Sequence, residues 1–496
     1  MYVKKTRKYI LGGNYFSNNI VLGKKSLNKN NSLLIGGNVQ IIERKKQGKK
    51  ILIKKKLIPI LSFTMIFSFF STAVWGGNGK TKIILKPSEA LYGTPFTITI
   101  SGLAPQEKVQ LKASAKDRKG VIWESQAVFR ADRFGIVNPE KQIPISGDYR
   151  IKDKFGLLWS MEPVNIEKKT TSFLYDTKKG LTINFVLQDS KGKTTRAKLS
   201  RYYEDPGTKL AALKLDQDGL KGTLFSPDLN KRYPGVIILA GSNGGSVDWL
   251  AKAIASHGFS VLDLPYFKYP GLPENMVNIP IEYFKKAIDW IKKQKSVKTG
   301  KIGLVGGSRG GELALLLGSM FNEFKAIVGW VPAAHLWQGE DYTKLVPTWI
   351  YKGKPLPFIG EEFSQEELKK FYSGQMTSFR EYFLNTLENL KPSLINKATI
   401  AVQNIKAPLL LVSGEDDQTW PSTEFCQMVI KRLKSFNFKY ECKHIIGKNA
   451  GHLVFLPDFI TETSRHFNGG TREAELHESI RSWQETIRFL HKYLDK

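Results

Sequence analysis

Two rhythms of apolar and polar residues run along this 496-residue chain. Between about Thr81 and Tyr203 the period is two. Phe96, Ile98 and Ile100 alternate with Thr97, Thr99 and Ser101, and Leu181, Ile183, Phe185 and Leu187 alternate with more polar neighbours. Side chains of a strand point to opposite faces in turn, so this alternation predicts strands with one buried face. Asp117-Arg-Lys-Gly120 and Asp189-Ser-Lys-Gly192 read as turns between them. An antiparallel sandwich over residues 78–205 is the architecture expected.

After Pro206 the pattern changes to short unbroken apolar runs separated by amphipathic segments. Val236–Ala240, Phe259–Leu264, Ile302–Val305, Ala326–Trp330, Leu409–Val412 and Tyr440–Ile445 are the candidate strands. Strands apolar on both faces belong to a parallel sheet covered by helices on both sides. Ile281, Phe284, Ile288 and Ile291 line one face of a helix between the second and third of these runs. Residues 335–405 read as a long insertion with helical pieces, and no internal repeat is evident.

The amino-terminal part differs from both. Lys54-Lys55-Lys56 precedes the apolar run from Leu57 to Phe70, and Ser71-Thr-Ala73 offers small residues for cleavage. Residues 54–75 therefore read as a signal peptide, or as an uncleaved anchor because the run approaches spanning length. Either reading places the protein outside the cytoplasm, secreted, periplasmic or tethered to the membrane through 57–75; a cytoplasmic location is the alternative. Residues 1–53 are Asn-, Gly- and Lys-rich and are expected to reflect a misassigned start codon or to be a disordered basic extension. The formal charge of +30 is concentrated here: residues 1–56 hold fifteen Lys or Arg and one acid, leaving +16 for the rest. That remainder is interspersed with acids and lacks an aromatic-interleaved basic motif, which argues against nucleic acid as a partner. Two cysteines, Cys426 and Cys442, are too few for a disulfide framework or a metal site.

The chemistry is concentrated at three loops. Ile302-Gly-Leu-Val305 runs into Gly306-Gly-Ser308-Arg-Gly-Gly311 and then into a helical stretch from Glu312, so G-x-S-x-G stands in strand–turn–helix context. No P-loop Lys-Ser/Thr and no G-x-G-x-x-G follows, which sets a phosphate cradle aside. Ser308 is the candidate nucleophile. Leu409–Val412 ends in Ser413-Gly-Glu-Asp-Asp-Gln-Thr-Trp-Pro421, and Asp417 is preferred to Asp416 because Trp420 and Pro421 would begin the next turn and leave Asp417 inward. His452 follows the last candidate strand on Gly447-Lys-Asn-Ala-Gly451-His452. The order Ser, Asp, His is the one such a fold requires. An imidazole would take the Ser308 proton, and the carboxylate would fix its tautomer. Oxyanion donors are expected from the backbone of Arg309 and of either Ser242 or Asn243, in Gly241-Ser-Asn-Gly-Gly245. No metal or organic cofactor is called for.

With these residues in place the chain resembles the acyl-coenzyme A thioesterase and bile acid-CoA:amino acid N-acyltransferase family. The likeness runs from about Thr81 to Leu494. It rests on Gly102-Leu-Ala-Pro105, Phe129-Arg-Ala-Asp132, Gly156-Leu-Leu-Trp159, Met161-Glu-Pro163 and Gly222-Thr-Leu-Phe225, taken as sandwich stretches, and on Gly306–Leu313, Gly414–Trp420 and Ala450-Gly-His452. The resemblance implies an α/β-hydrolase domain over residues 206–496, preceded by an immunoglobulin-like antiparallel β-sandwich, with Ser308, Asp417 and His452 as nucleophile, acid and base. It implies hydrolysis of an acyl-CoA thioester to a fatty or other carboxylic acid and CoA. Family members that transfer acyl groups to an amino acid tend to have Cys in the turn where this chain has Ser308, which favours water over an amine as acceptor. Export would conflict with CoA, a cytoplasmic metabolite, and would favour an oxygen ester cleaved by the same residues. A non-catalytic binding protein is disfavoured by the complete set of three.

Overall fold

The computed structural model describes residues 80–164, 172–207, 209–341, 343–361, 364–373, 375, 378–457 and 467–495. The basic extension and the 54–75 segment lie outside the described residues. Among those described, no helix is long and apolar enough to cross a membrane.

The first layer pairs β1 (Lys82–Lys86) with β3 (Thr97–Ser101). The second is a seven-stranded sheet ordered β2 (Glu89–Leu91), β9 (Thr194–Tyr202), β8 (Leu181–Gln188), β4 (Lys108–Lys116), β5 (Ile122–Arg130) and β6 (Ser146–Gly147), with β7 (Glu162–Pro163) also on β5. The alternation read from sequence is literal in β8, where Leu181, Ile183, Phe185 and Leu187 are buried. They share one core with Leu85, Ile98 and Ile100 of the small sheet, which makes the two layers a sandwich. One pairing departs from antiparallel: β2 runs parallel to β9. A short helix, α1 (Gly156–Trp159), lies between β6 and β7 in the chain.

The second sheet has eight strands in the order β10 (Ala211–Gln217), β11 (Leu220–Ser226), β13 (Ser260–Asp263), β12 (Tyr233–Leu239), β15 (Val297–Gly307), β16 (Phe324–Trp330), β19 (Leu409–Gly414) and β20 (Cys442–Gly447). From β13 onward every pairing is parallel. Along β12, Ile237 and Leu239 enter one core with α3 (Ile281–Lys292), α4 (Arg309–Met320) and α8 (Ser422–Ser435). Val236 and Ile238 enter another with α2 (Asp248–Ala255) and α9 (Arg472–Leu494). Burial on both faces is why these strands read as unbroken apolar runs.

Gly222–Phe225, read from sequence as sandwich, instead forms β11 of the eight-stranded sheet. The hairpin β10–β11 turns at Asp218-Gly219, with φ of 53° and 79°. Asp-Gly is a strong signal for such a two-residue turn, and it marks where the second sheet begins. The insertion supplies β17 (Trp349–Tyr351) and β18 (Lys354–Pro355), which form a three-stranded sheet with β14 (Ile279–Pro280) from before α3, and then α5 (Gln365–Tyr372), α6 (Arg380–Asn389) and α7 (Pro392–Ala398).

The two parts meet along α9. Its Leu476 and Ile480 are buried in the sandwich core. Arg472 Nη1 donates to Glu162 Oε1 at 2.8 Å, and His477 Nε2 lies 2.9 Å from Asp153 Oδ2.

Candidate active site

At the carboxyl end of β15 the chain turns sharply into α4. Ser308 occupies the turn with φ 56° and ψ −123°, a region costly for a residue with a side chain. Two glycines make the turn possible by close approach. A Cβ at Gly306 would lie 2.0 Å from the Gly310 carbonyl, and one at Gly310 would lie 2.4 Å from the Ala240 carbonyl. Backbone bonds hold the strained residue: Ser308 N–H donates to Trp330 O at 2.8 Å, and Ser308 O accepts from Gly311 and Glu312. The side chain is thereby fixed at the helix amino terminus, half-buried.

His452 Nε2 lies 3.0 Å from Ser308 Oγ. Its Nδ1 lies 3.0 and 2.9 Å from the two carboxylate oxygens of Asp417. Asp417 is fully buried and His452 nearly so. Asp417 Oδ1 also accepts the N–H groups of Thr419 and Trp420, which aims the carboxylate at the ring. Asp416 faces away, accepting from Gln418 Nε2 and Gly470 N–H. The loop that carries His452 is pinned through Gly451 N–H to Glu475 Oε2 at 2.6 Å and His452 N–H to Asn468 O at 2.8 Å. Trp420 packs edge-on to the imidazole, its Nε1 donating to Val331 O. His444 sits inside β20 against Ser413 Oγ, and burial pushes it down to about 4.

The turn after β12 borders the same serine. A Cβ at Gly241 would come within 3.1 Å of Ser308 Cβ. The turn closes with Gly244 N–H donating to Gly241 O at 3.0 Å, so the N–H groups of Ser242 and Asn243 stay outside its own hydrogen bond, at an exposed tip. Arg309 N–H is at the first position of α4, where a helix offers no internal acceptor. The loop is braced by Asp263 at the end of β13, which accepts from Ser246 Oγ and Val247 N–H; burial raises this carboxyl to about 6.

Several contributors escaped sequence reasoning. The Arg309 side chain turns inward and is buried, donating to Glu312 Oε2 at 2.6 Å, to the carbonyls of Trp337 and Gln338, and to Thr348. Glu312 Oε1 accepts from Trp349 Nε1 at 2.8 Å. Burial holds Glu312 above the usual carboxylate range, with Arg309 drawing it back. Glu340 is raised by burial in the same way, with Arg309 and a hydrogen bond from Ser242 opposing. Only Glu312 had a local signal, three residues along the helix from Arg309; the other partners come from the insertion.

Residues 279–496 match the family model described as BAAT / acyl-CoA thioester hydrolase C terminal, and residues 93–214 match that of the acyl-CoA thioester hydrolase/BAAT N-terminal region. Acyl-coenzyme A thioesterase 1 of Homo sapiens is 28% identical over 427 residues, covering 83% of this chain and 96% of its own. Acyl-coenzyme A thioesterase 6 of Mus musculus is 29% identical over 418 residues, covering 81% and 94%. The mitochondrial acyl-coenzyme A thioesterase 2 of Homo sapiens is 28% identical over 427 residues, covering 83% and 84%.

Proposed function

Because the chain belongs to the acyl-CoA thioester hydrolase/BAAT family, we propose that it hydrolyses acyl-CoA thioesters to a free carboxylic acid and CoA through an acyl-serine. Ser308 attacks the thioester carbonyl as His452 Nε2 takes its proton. Asp417 holds the ring in the tautomer with Nδ1–H and stabilises the cation that forms. The carbonyl oxygen becomes an oxyanion between Arg309 N–H and an N–H of the Ser242-Asn243 turn. Collapse expels the CoA sulfur, which receives the proton from His452. Water, deprotonated by the same imidazole, then attacks the acyl-serine and releases the acid.

The observation that carries this reading is the unbroken line from Ser308 Oγ through His452 to Asp417, at 3.0 and 2.9 Å. Serine in place of cysteine at the turn supports water as the acceptor. The export-type segment at 54–75 favours a second reading, an oxygen ester as natural substrate. The test is a screen of saturated acyl-CoAs from acetyl to stearoyl against aryl esters of the same acids. Thiol release from acyl-CoA faster than phenol release is expected. Cleavage of aryl esters alone would make the enzyme a carboxylesterase, and an acyl-amino acid formed when glycine or taurine is added would make it a transferase.

A further inference from the structure

Arg380 opens helix α6 of the insertion, far in sequence from any residue of the triad. Its guanidinium nevertheless reaches the acid loop. Nη1 donates to the main-chain carbonyl of Asp417 at 3.2 Å, and Nη2 is paired with Glu424 of α8. The side chain is largely buried, 16% exposed. The next carbonyl along, Gln418 O, accepts three donors from the same segment: Phe379 N–H at 3.0 Å, Ser378 Oγ at 3.1 Å and Arg380 N–H at 3.3 Å. Ser378 Oγ is also 2.9 Å from Gln418 Oε1. On its other side the loop is tied to residues 467–469. Thr419 Oγ1 donates to Phe467 O and Gln418 N–H to Asn468 O, the carbonyl that also accepts His452 N–H. Phe379 meets Phe467 edge-on, which closes the bracket.

We propose that Arg380 is a positioning residue for the triad acid, coupling the place of the insertion to the alignment of Asp417. This rests on the role given to Asp417 above. The carbonyl that Arg380 holds belongs to the residue bearing the carboxylate, so a shift of α6 rotates that residue about its own backbone. A displacement of about 1 Å in a catalytic group can cost on the order of a hundredfold in rate. Glu424 fixes the other end of the guanidinium, so the fork is anchored between α8 and the loop rather than free to follow solvent. Insertion and acid therefore move together, and the triad is fully aligned only with the insertion seated.

The test is a double-mutant cycle on the full-length enzyme with a short-chain acyl-CoA, where contacts of the insertion with the acyl chain are few. Arg380→Ala should lower kcat about tenfold with KM changed less than about twofold, whereas in an Asp417→Asn background the same change should cost less than about twofold. Arg380→Lys should recover part of the loss, since an ammonium still donates to one of the two acceptors. Equal losses in both backgrounds, or an effect confined to KM, would overturn the assignment. Should Arg380→Ala fail to fold by circular dichroism, Glu424→Gln, which loosens one end of the fork, is read in the same cycle with a smaller expected loss. An Asp417→Asn enzyme as active as the parent would remove the acid itself and the assignment with it, while thioester cleavage would stand.

Discussion

Asp416 and Asp417 differ by one position, and only one of them faces the imidazole. Asp417 is buried against His452 with two N–H donors steering it, while Asp416 sits at the rim tied to Gly470 and Gln418. Asp417→Asn should therefore lower kcat about 10³- to 10⁴-fold, because an amide favours the wrong imidazole tautomer. Asp416→Asn should stay within a few-fold; the reverse ranking at neutral pH would move the acid. The choice between them was legible because Trp420 and Pro421 mark where the next turn begins. Arg309 was legible only by half. Its place at the start of α4 follows from the strand–turn–helix pattern, but the side chain's acceptors, Trp337, Gln338 and Thr348, come from a loop no local pattern links to the turn. Glu312→Ala leaves that guanidinium buried without its carboxyl partner. It should cost about 3–5 kcal/mol of stability, read as a lower midpoint in urea, and an unchanged midpoint would mean that the carbonyls suffice.

At the scale of elements, the parallel strands were readable because burial on both faces leaves an unbroken apolar run. The β10–β11 hairpin was not, since β10 is largely solvated and alternates weakly. Its turn at Asp218-Gly219 was the available signal. Nor could the reach of α9 into the sandwich be read from its own period, because its long apolar stripe serves two cores. The polar seam beside that contact should respond to pH. For Asp153, burial would raise the carboxyl, but His477 and the donors from Phe155 and Trp159 hold it below its ordinary value. Burial would lower His477, but the hydrogen bond and charge of Asp153 hold it above its own. A lowered acid stabilises above its unfolded value of about 3.9 and loses this as pH falls; a raised imidazole stabilises below about 6.5 and loses this as pH rises. The pair should thus contribute most between about pH 4 and 6.5, by under roughly 1 kcal/mol because the ring is partly exposed. The Tm advantage of the parent over His477→Gln should be larger near pH 5.5 than near pH 9. An advantage that grows with pH would contradict the assignment.

At the scale of the whole molecule, a sandwich set on an α/β-hydrolase leaves all three site loops at the carboxyl end of one parallel sheet, where strand ends converge. That convergence is what the sequence order Ser, Asp, His anticipates. The seating of the insertion was illegible, since it depends on contacts such as Arg380 to Asp417 between distant segments. Where the enzyme works is a separate proposal. The lysine cluster, apolar run and Ser-x-Ala step at 54–73 predict a mature chain beginning near Val74 outside the cytoplasm, which fractionation with amino-terminal sequencing decides; full-length soluble protein in the cytoplasm would refute it. Thiol release from the best acyl-CoA should be measured for the parent and for Ser308→Ala, with the fold of the variant checked by its Tm. A folded variant slower by about 10³-fold or more is the result predicted, because a triad without its nucleophile retains only binding and oxyanion contacts. A folded variant within about tenfold of the parent would show that the thioester is cleaved without an acyl-serine at this position.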